Sequence, residues 1–353
     1  MIFQPKAEGI GTWGNVIKNI ILNSEKEIDS HRFLFVNTSS SNTIIQNEQP
    51  PFDNSVIVNR EMLASFLNDL KETQNYKYVI ADIIFEDQSD ADSLLQKAID
   101  SLPRFITCSY TNNSDEVIKP IFNANCGLCD IETINGTFLK YNLKSDNGVA
   151  SLPLKVYNEL NQNVSKKRMS IELNSFILNF RITKHDINSS KYTLTDLCSL
   201  VFLGKDAIQD LAKDRIIVIG DFKEHDNVST TVGEIQGPLI LTNVILALEN
   251  KDHIFTTFKF FVLFLGFFLL SCIAIYPTDI FQRMLDNIDE KRVIVRYLVK
   301  SAGIGAILLL CSILYYVVFN IYLNIIYLGG YFLLLDSIAN NFTEIKAKIL
   351  FLK

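Results

Sequence analysis

The stretch Arg215–Asn250, "RIIVIGDFKEHDNVSTTVGEIQGPLILTNVILALEN", decides the fold. Its first part, "RIIVIGDF", is an apolar run ending at a glycine and reads as a buried strand. An acidic loop with one histidine follows, and Pro238–Asn250 reads as a helix. Asp221, Glu224 and Asp226 in that loop would suit a ligand or a general base. Yet adjacent residues on a strand point to opposite faces, which separates neighbours such as Glu224 and His225. The loop has neither the G-x-x-x-x-G-K-[ST] of a phosphate-binding loop nor the G-x-G-x-x-G of a dinucleotide site. The plainer reading is a strand-to-loop turn. Gly220 permits close backbone approach, and Asp226 and Thr230 bind loop amides.

The same unit recurs upstream. "HRFLFVNTSS" (His31–Ser40) is a strand breaking into a polar loop, and "EQPPFDNSVIVNR" is a further loop. "REMLASFLNDLKE" (Arg60–Glu72) puts Met62, Leu63, Phe66, Leu67 and Leu70 on one helical face. "YKYVIADIIFED" is a strand ending in Asp82, Glu86 and Asp87, and Ser89 or Asp90 caps the next helix. "FITCSYT", "GTFLKYNL" and "SFILNFRIT" (Ser175–Thr183) read as strands, "LPLKVYNEL" and "LTDLCSLV" as helices. Strands alternating with amphipathic helices predict an α/β fold over residues 28–252: a three-layer sandwich with a mostly parallel sheet. Loops at the carboxyl ends of such strands converge on a ligand cleft, so the two acidic loops are expected at one rim.

Composition adds two constraints. A net charge of −6 over 353 residues, with both signs interspersed, argues against a nucleic-acid partner. Apolar residues concentrate after position 254, where three transmembrane helices are expected, at about 256–276, 298–319 and 322–339. The basic residues Arg283, Lys291, Arg292 and Arg296, and Lys346, Lys348 and Lys353 in the tail 341–353, would then face the cytoplasm. That assigns a multi-pass membrane protein with its N-terminal domain outside the cytoplasm. Segment 1–27 is read as the remnant of an anchor. Six cysteines do not suggest a disulfide framework; only Cys126 and Cys129 are close, in a stretch that alternates like strand and turn. Whether those two pair stays open. Zinc would need two more ligands, and His31, His185, His225 and His253 show no matching spacing.

The order of these features resembles the CHASE2 domain, an extracytoplasmic sensory module of bacterial transmembrane receptors. "VIADIIFEDQSDADSLLQKAI" (Val79–Ile99) is similar to that family's strand, acidic loop and helix, with Asp92 and Leu94 in place. "PIFNANCGL" supplies Pro120 and Gly127. The closing signature falls on Asp226, Thr230, Gly233, Gly237 and Asn243, with Val228 where the family usually has histidine. Three spans after the domain also fit the family, whereas the short tail leaves no room for its usual effector.

The resemblance implies a sensor or ligand-binding protein that signals through a separate effector or envelope protein. Its ligand-binding candidates are Asp82, Asp87, Asp92, Asp221, Glu224, Asp226, Thr230 and Asn243. Gly127, Gly220, Gly233 and Gly237 are expected to be structural. The expected partners are the lipid bilayer, an unidentified small molecule, the separate effector or envelope protein and a second copy of the chain in a homodimer; no cofactor, metal or catalytic residue is expected. The rival readings are a docking subunit of an envelope complex and, third, a membrane-bound hydrolase using Asp82, Asp221 and Asp226.

Overall fold

A computed structural model describes residues 28–46, 54–72, 74–161, 170–223, 226–230, 232–275, 309–315, 319, 329–331 and 334. In chain order the strands are β1 (Phe33–Asn37), β2 (Asn42–Gln46), β3 (Asn54–Val58), β4 (Tyr78–Ala81), β5 (Phe105–Thr111), β6 (Val117–Ile118), β7 (Cys126–Leu128), β8 (Thr133–Ile134), β9 (Thr137–Phe138), β10 (Lys140–Asn142), β11 (Ser170–Glu172), β12 (Ser175–Ile177), β13 (Thr193–Asp196), β14 (Ile216–Gly220), β15 (Asn227–Thr230), β16 (Gly233–Gln236) and β17 (Ile254–Thr256). The helices are α1 (Arg60–Lys71), α2 (Asp92–Asp100), α3 (Leu152–Leu160), α4 (Lys184–Asn188), α5 (Leu197–Leu203), α6 (Lys205–Ala212), α7 (Gly237–Glu249) and α8 (Thr257–Ile275).

The chain divides into two units. The larger, 24–166 with 174–253, is built on a sheet of order β13-β1-β14-β4-β5-β6, with β7 also paired to β5. Every pairing in it is parallel except β5 with β6. Strands β1, β4 and β14 are buried throughout, as continuous apolar runs require when both faces of a parallel sheet are covered. The two-residue alternation sends Phe33, Phe35, Tyr78, Ile80 and Val218 into one core with α3 and α7. Leu34, Val36, Val79, Ala81 and Ile217 go to the opposite core with α1, α2, α5 and α6. Helix–sheet–helix layering follows directly from that alternation.

Three local readings change. Asn54–Val58 is not loop but the second strand of an antiparallel hairpin with β2. Thr193–Asp196 is a parallel strand against β1, not a lead-in to a helix. Of Ser175–Thr183 only the first three residues form a strand, because the chain beyond is tied to α7 instead: Asn243 Oδ1 accepts from the amides of Arg181 and Ile182, and its Nδ2 donates to the Ile182 carbonyl.

The smaller unit comprises 1–23, 167–173 and 254–353. Its described part pairs β11 antiparallel with β17, which runs into α8. The expected three-span bundle, and with it the multi-pass membrane assignment, is corrected here: among the described residues no helix is long and apolar enough to cross a membrane. Helix α8, the nearest case, has 19 residues, and Lys259 lies in its first turn with its Nζ donating to the Ile254 carbonyl at 2.9 Å. Only Phe260–Ile275 is left uncharged, which at 1.5 Å per residue reaches roughly 24 Å against a hydrocarbon core of ~30 Å. The expected spans at 298–319 and 322–339 fall mostly outside the described residues, and the segment 1–27 and the tail 341–353 lie wholly outside them.

Candidate functional site

Strand β14 lies between β1 and β4, and its register sets Ile219 opposite Ala81. Gly220 and Asp82 therefore leave the sheet side by side at its carboxyl edge, with the Asp82 amide donating to the Ile219 carbonyl at 2.7 Å. By strand parity the Asp82 side chain joins Tyr78 and Ile80 on the face covered by α3 and α7. There it meets Cys108, whose Sγ is 3.0 Å from Asp82 Oδ1.

Cys108 is bonded to Cys129. The open question of whether Cys126 and Cys129 pair is thereby answered: Cys129 takes Cys108, a cysteine isolated in the sequence. Within β7, Cys126 and Leu128 face one side while Gly127, and beyond it Cys129, face the other. Gly127 is level with Cys108 in the parallel β5–β7 pair, so Cys129 falls on the Cys108 side and Cys126 does not. The Cα–Cα separation of 5.5 Å then suits a bridge, and Cys126 stays free. Asp82, Cys108 and Cys129 bring an oxygen and two sulfurs within 4.8 Å of one another. Bonded to each other, the sulfurs are not thiolate donors, so this trio is not a metal centre in the disulfide state.

A disulfide sulfur carries no hydrogen, so a hydrogen bond between Asp82 and Cys108 forms only when the proton is on the carboxyl group. The surroundings agree. Burial raises the Asp82 carboxyl well above the usual carboxylate range, and the charge of Asp226 adds to the effect. Asp226 itself is pushed up to about 6, by burial first and by Asp221 second. Asp82, Asp221 and Asp226 each keep partial contact with solvent, although protein surrounds Asp82 densely. Among the described residues no lysine or arginine forms an ion pair with any of the three.

Helix α7 fixes Asp226. The Gly237 amide donates to the Asp226 carbonyl at 3.0 Å, and a Cβ added at Gly237 would lie 2.2 Å from Asp226 Oδ2. At Gly220 a Cβ would meet Pro238 Cγ at 2.5 Å, and at Gly127 it would meet Leu152 Cα at 2.4 Å. All three glycines thus mark places where a helix start is pressed onto the sheet edge. Gly233 differs; it has φ +107° and open space around it, at the turn between β15 and β16.

Two buried hydroxyls, Tyr141 Oη and Ser151 Oγ, lie near each other and make no hydrogen bond to any other described group. Burial raises the Tyr141 phenol, the nearby Ser151 hydroxyl opposes that, and Asp82 and Asp130 reinforce it. Neither Tyr141 nor Cys108 carried any motif in the sequence. The only available signal was the parity of the "CGLC" strand, which directs Cys129 away from Cys126.

The other candidates go elsewhere. The Asp87 carbonyl and the Asp92 carboxylate both accept from the Arg60 guanidinium, and Asp92 Oδ2 also accepts from the Ser89 amide at 3.0 Å. Thr230 Oγ1 donates to the Gly233 carbonyl at 2.6 Å and closes the β15–β16 turn. Asn243 is fully buried and spends its amide on the Arg181–Ile182 backbone and the Leu239 carbonyl. Glu224 lies outside the described residues. Of the eight ligand-binding candidates, then, Asp82 is coupled electrostatically to Asp226 and Asp226 to Asp221, whose Oδ1 also accepts from the Lys223 amide at 2.8 Å. Neither protein-family models, nor curated proteins, nor solved structures give a match to this chain.

Proposed function

We propose that the larger unit is a sensory, non-catalytic α/β domain of the CHASE2 type, and that Asp82, Asp221 and Asp226 form its ligand-responsive site. One observation carries this reading: Asp82 and Asp221 leave adjacent strands at the carboxyl edge of a parallel sheet, and Asp226, in the loop after β14, adds its charge to Asp82 and feels that of Asp221, with no described cation paired to any of them. Such a group favours a small ligand bearing positive charge, an organic amine, because an ammonium would let the carboxyls ionise without mutual repulsion. The mechanism is differential binding. Asp226 sits against the first residue of α7, so a change in its charge or position acts on the start of that helix. A separate effector would read the result.

The test is a thermal-shift titration of the whole chain with methylamine, putrescine and spermidine. Stabilisation is expected with at least one amine, and it should be reduced by more than half in Asp221→Asn and Asp226→Asn. If no amine stabilises the protein, or if both variants respond as the parent does, the ligand reading is wrong.

A further inference from the structure

The disulfide beside Asp82 has an asymmetry that a purely structural cross-link would not need. Cys129 is partly exposed, whereas Cys108 is 1% exposed and faces the core. A carboxyl oxygen lies 3.0 Å from the buried sulfur. We propose that Cys108–Cys129 is an exchange-active disulfide, reducible by an external dithiol, in which Asp82 is the proton donor to Cys108. The proposal goes beyond the ligand reading and requires no ligand.

Balanced, the chemistry runs in two displacements. A thiolate of the dithiol attacks Sγ of Cys129, the less buried of the two cysteines, and a mixed disulfide forms between them. The Cys108–Cys129 bond breaks and its electron pair goes to Cys108 Sγ. A bare thiolate there would be costly in the apolar core, so the Asp82 carboxyl beside that sulfur transfers its proton and leaves a thiol. The second thiol of the reductant loses its proton to solvent and displaces Cys129, which takes a proton from water. Asp82 regains a proton from solvent, with which it retains contact. In sum, two protein thiols appear and one dithiol becomes a disulfide. Oxidation reverses the sequence, with Asp82 as the base that removes the Cys108 proton.

Other titratable groups set the state of Asp82. Asp226 acts on it directly, Asp221 acts through Asp226, and Tyr141, together with Asp130, shares its surroundings. The charge of Asp226 favours the protonated carboxyl that the donor role requires, the Tyr141 phenol stays neutral, and none of these groups is a cation that would oppose it. Reduction also places two thiols and a carboxyl together at the edge where β5 and β7 meet, against the start of α3.

The experiment uses the whole folded chain with its free thiols first alkylated by iodoacetamide. Dithiothreitol is then added, and newly exposed thiols are trapped with N-ethylmaleimide and located by peptide mass spectrometry. Cys108 and Cys129 are expected to take up the label without denaturant. Expressed per dithiothreitol thiolate, the reduction rate should fall as pH rises and Asp82 loses its proton. Asp82→Asn should slow reduction about tenfold or more below that transition and flatten the profile. The wild-type profile is decisive even if the variant does not fold. A disulfide that resists reduction until denaturant is added, or a rate per thiolate that is level across the pH range, overturns the proposal. Failure of amine binding at Asp221 and Asp226 would leave these rates unchanged, so the two readings fail separately.

Discussion

Asp82 and Asp92 leave the same strand-to-helix connection and meet opposite electrostatic fates. Asp92 pairs with Arg60, a guanidinium 3% exposed that also lies 5.8 Å over the Phe85 ring and 5.3 Å over that of Phe122. Asp82 has a disulfide and the Asp226 carboxyl for neighbours. The first arrangement balances charge, holds the loop down and leaves nothing for a ligand to do. The second keeps a proton where a charge would be expensive, so its state can be altered by a cation, a reductant or pH. Acidic residues in one loop thus divide into a fastening and a responsive group, and the neighbouring element decides which is which.

The largest effect should come from breaking the balanced side. Arg60→Ala is expected to cost about 3 kcal/mol or more in urea unfolding, because it strands Asp92 and the Asp87 carbonyl. Arg60→Met should cost less, since it keeps apolar contact with Phe85 and Phe122. On the responsive side, Gly237→Ala drives a methyl into the Asp226 carboxyl and should cost about 1–3 kcal/mol in the same assay. A pH series sharpens the contrast. Asp226 binds its proton more tightly folded than unfolded, so its contribution is fully present below about pH 4 and is lost as pH rises through about 6. Asp82 acts with the same sign. Unfolding free energy should therefore decline over that window, and Asp226→Asn should flatten the decline. The smallest expected effect is that of Asp82→Asn at neutral pH, which should stay within about 1 kcal/mol of the parent, because no described cation loses a partner. A loss as large as that of Arg60→Ala would mean that Asp82 is a fastening residue after all.

The layered α/β architecture was legible because β1, β4 and β14 are near-continuous apolar runs and α1 carries its apolar residues at helical spacing. That Asp82 and Asp221 follow neighbouring strands was legible for a related reason: both come after apolar runs whose carboxyl ends share an edge. Three kinds of information were not legible. The pairing of Cys129 depends on which strand lies beside β7, a long-range fact that the spacing of Cys126 and Cys129 does not encode. Arg60 looks in the sequence like the first polar residue of a surface helix, and only tertiary packing makes it the partner of Asp92. The membrane reading rested on apolar runs, basic loops and the family resemblance, whereas the described helix over the first run carries Lys259 in its first turn, held by a strand carbonyl.

The place of β14 also bears on how this fold is assembled during synthesis. Its five residues come late in the chain, yet they form the sheet's middle seam, and β1 and β4 have no pairing with each other. Whatever forms earlier on the ribosome must wait with two unsatisfied strand edges for Ile216–Gly220 to emerge and insert. The Asp82 amide finds its acceptor only at that moment, so the acidic edge is among the last parts of the molecule to exist. A chain truncated before residue 220 would lack not a peripheral strand but the seam itself.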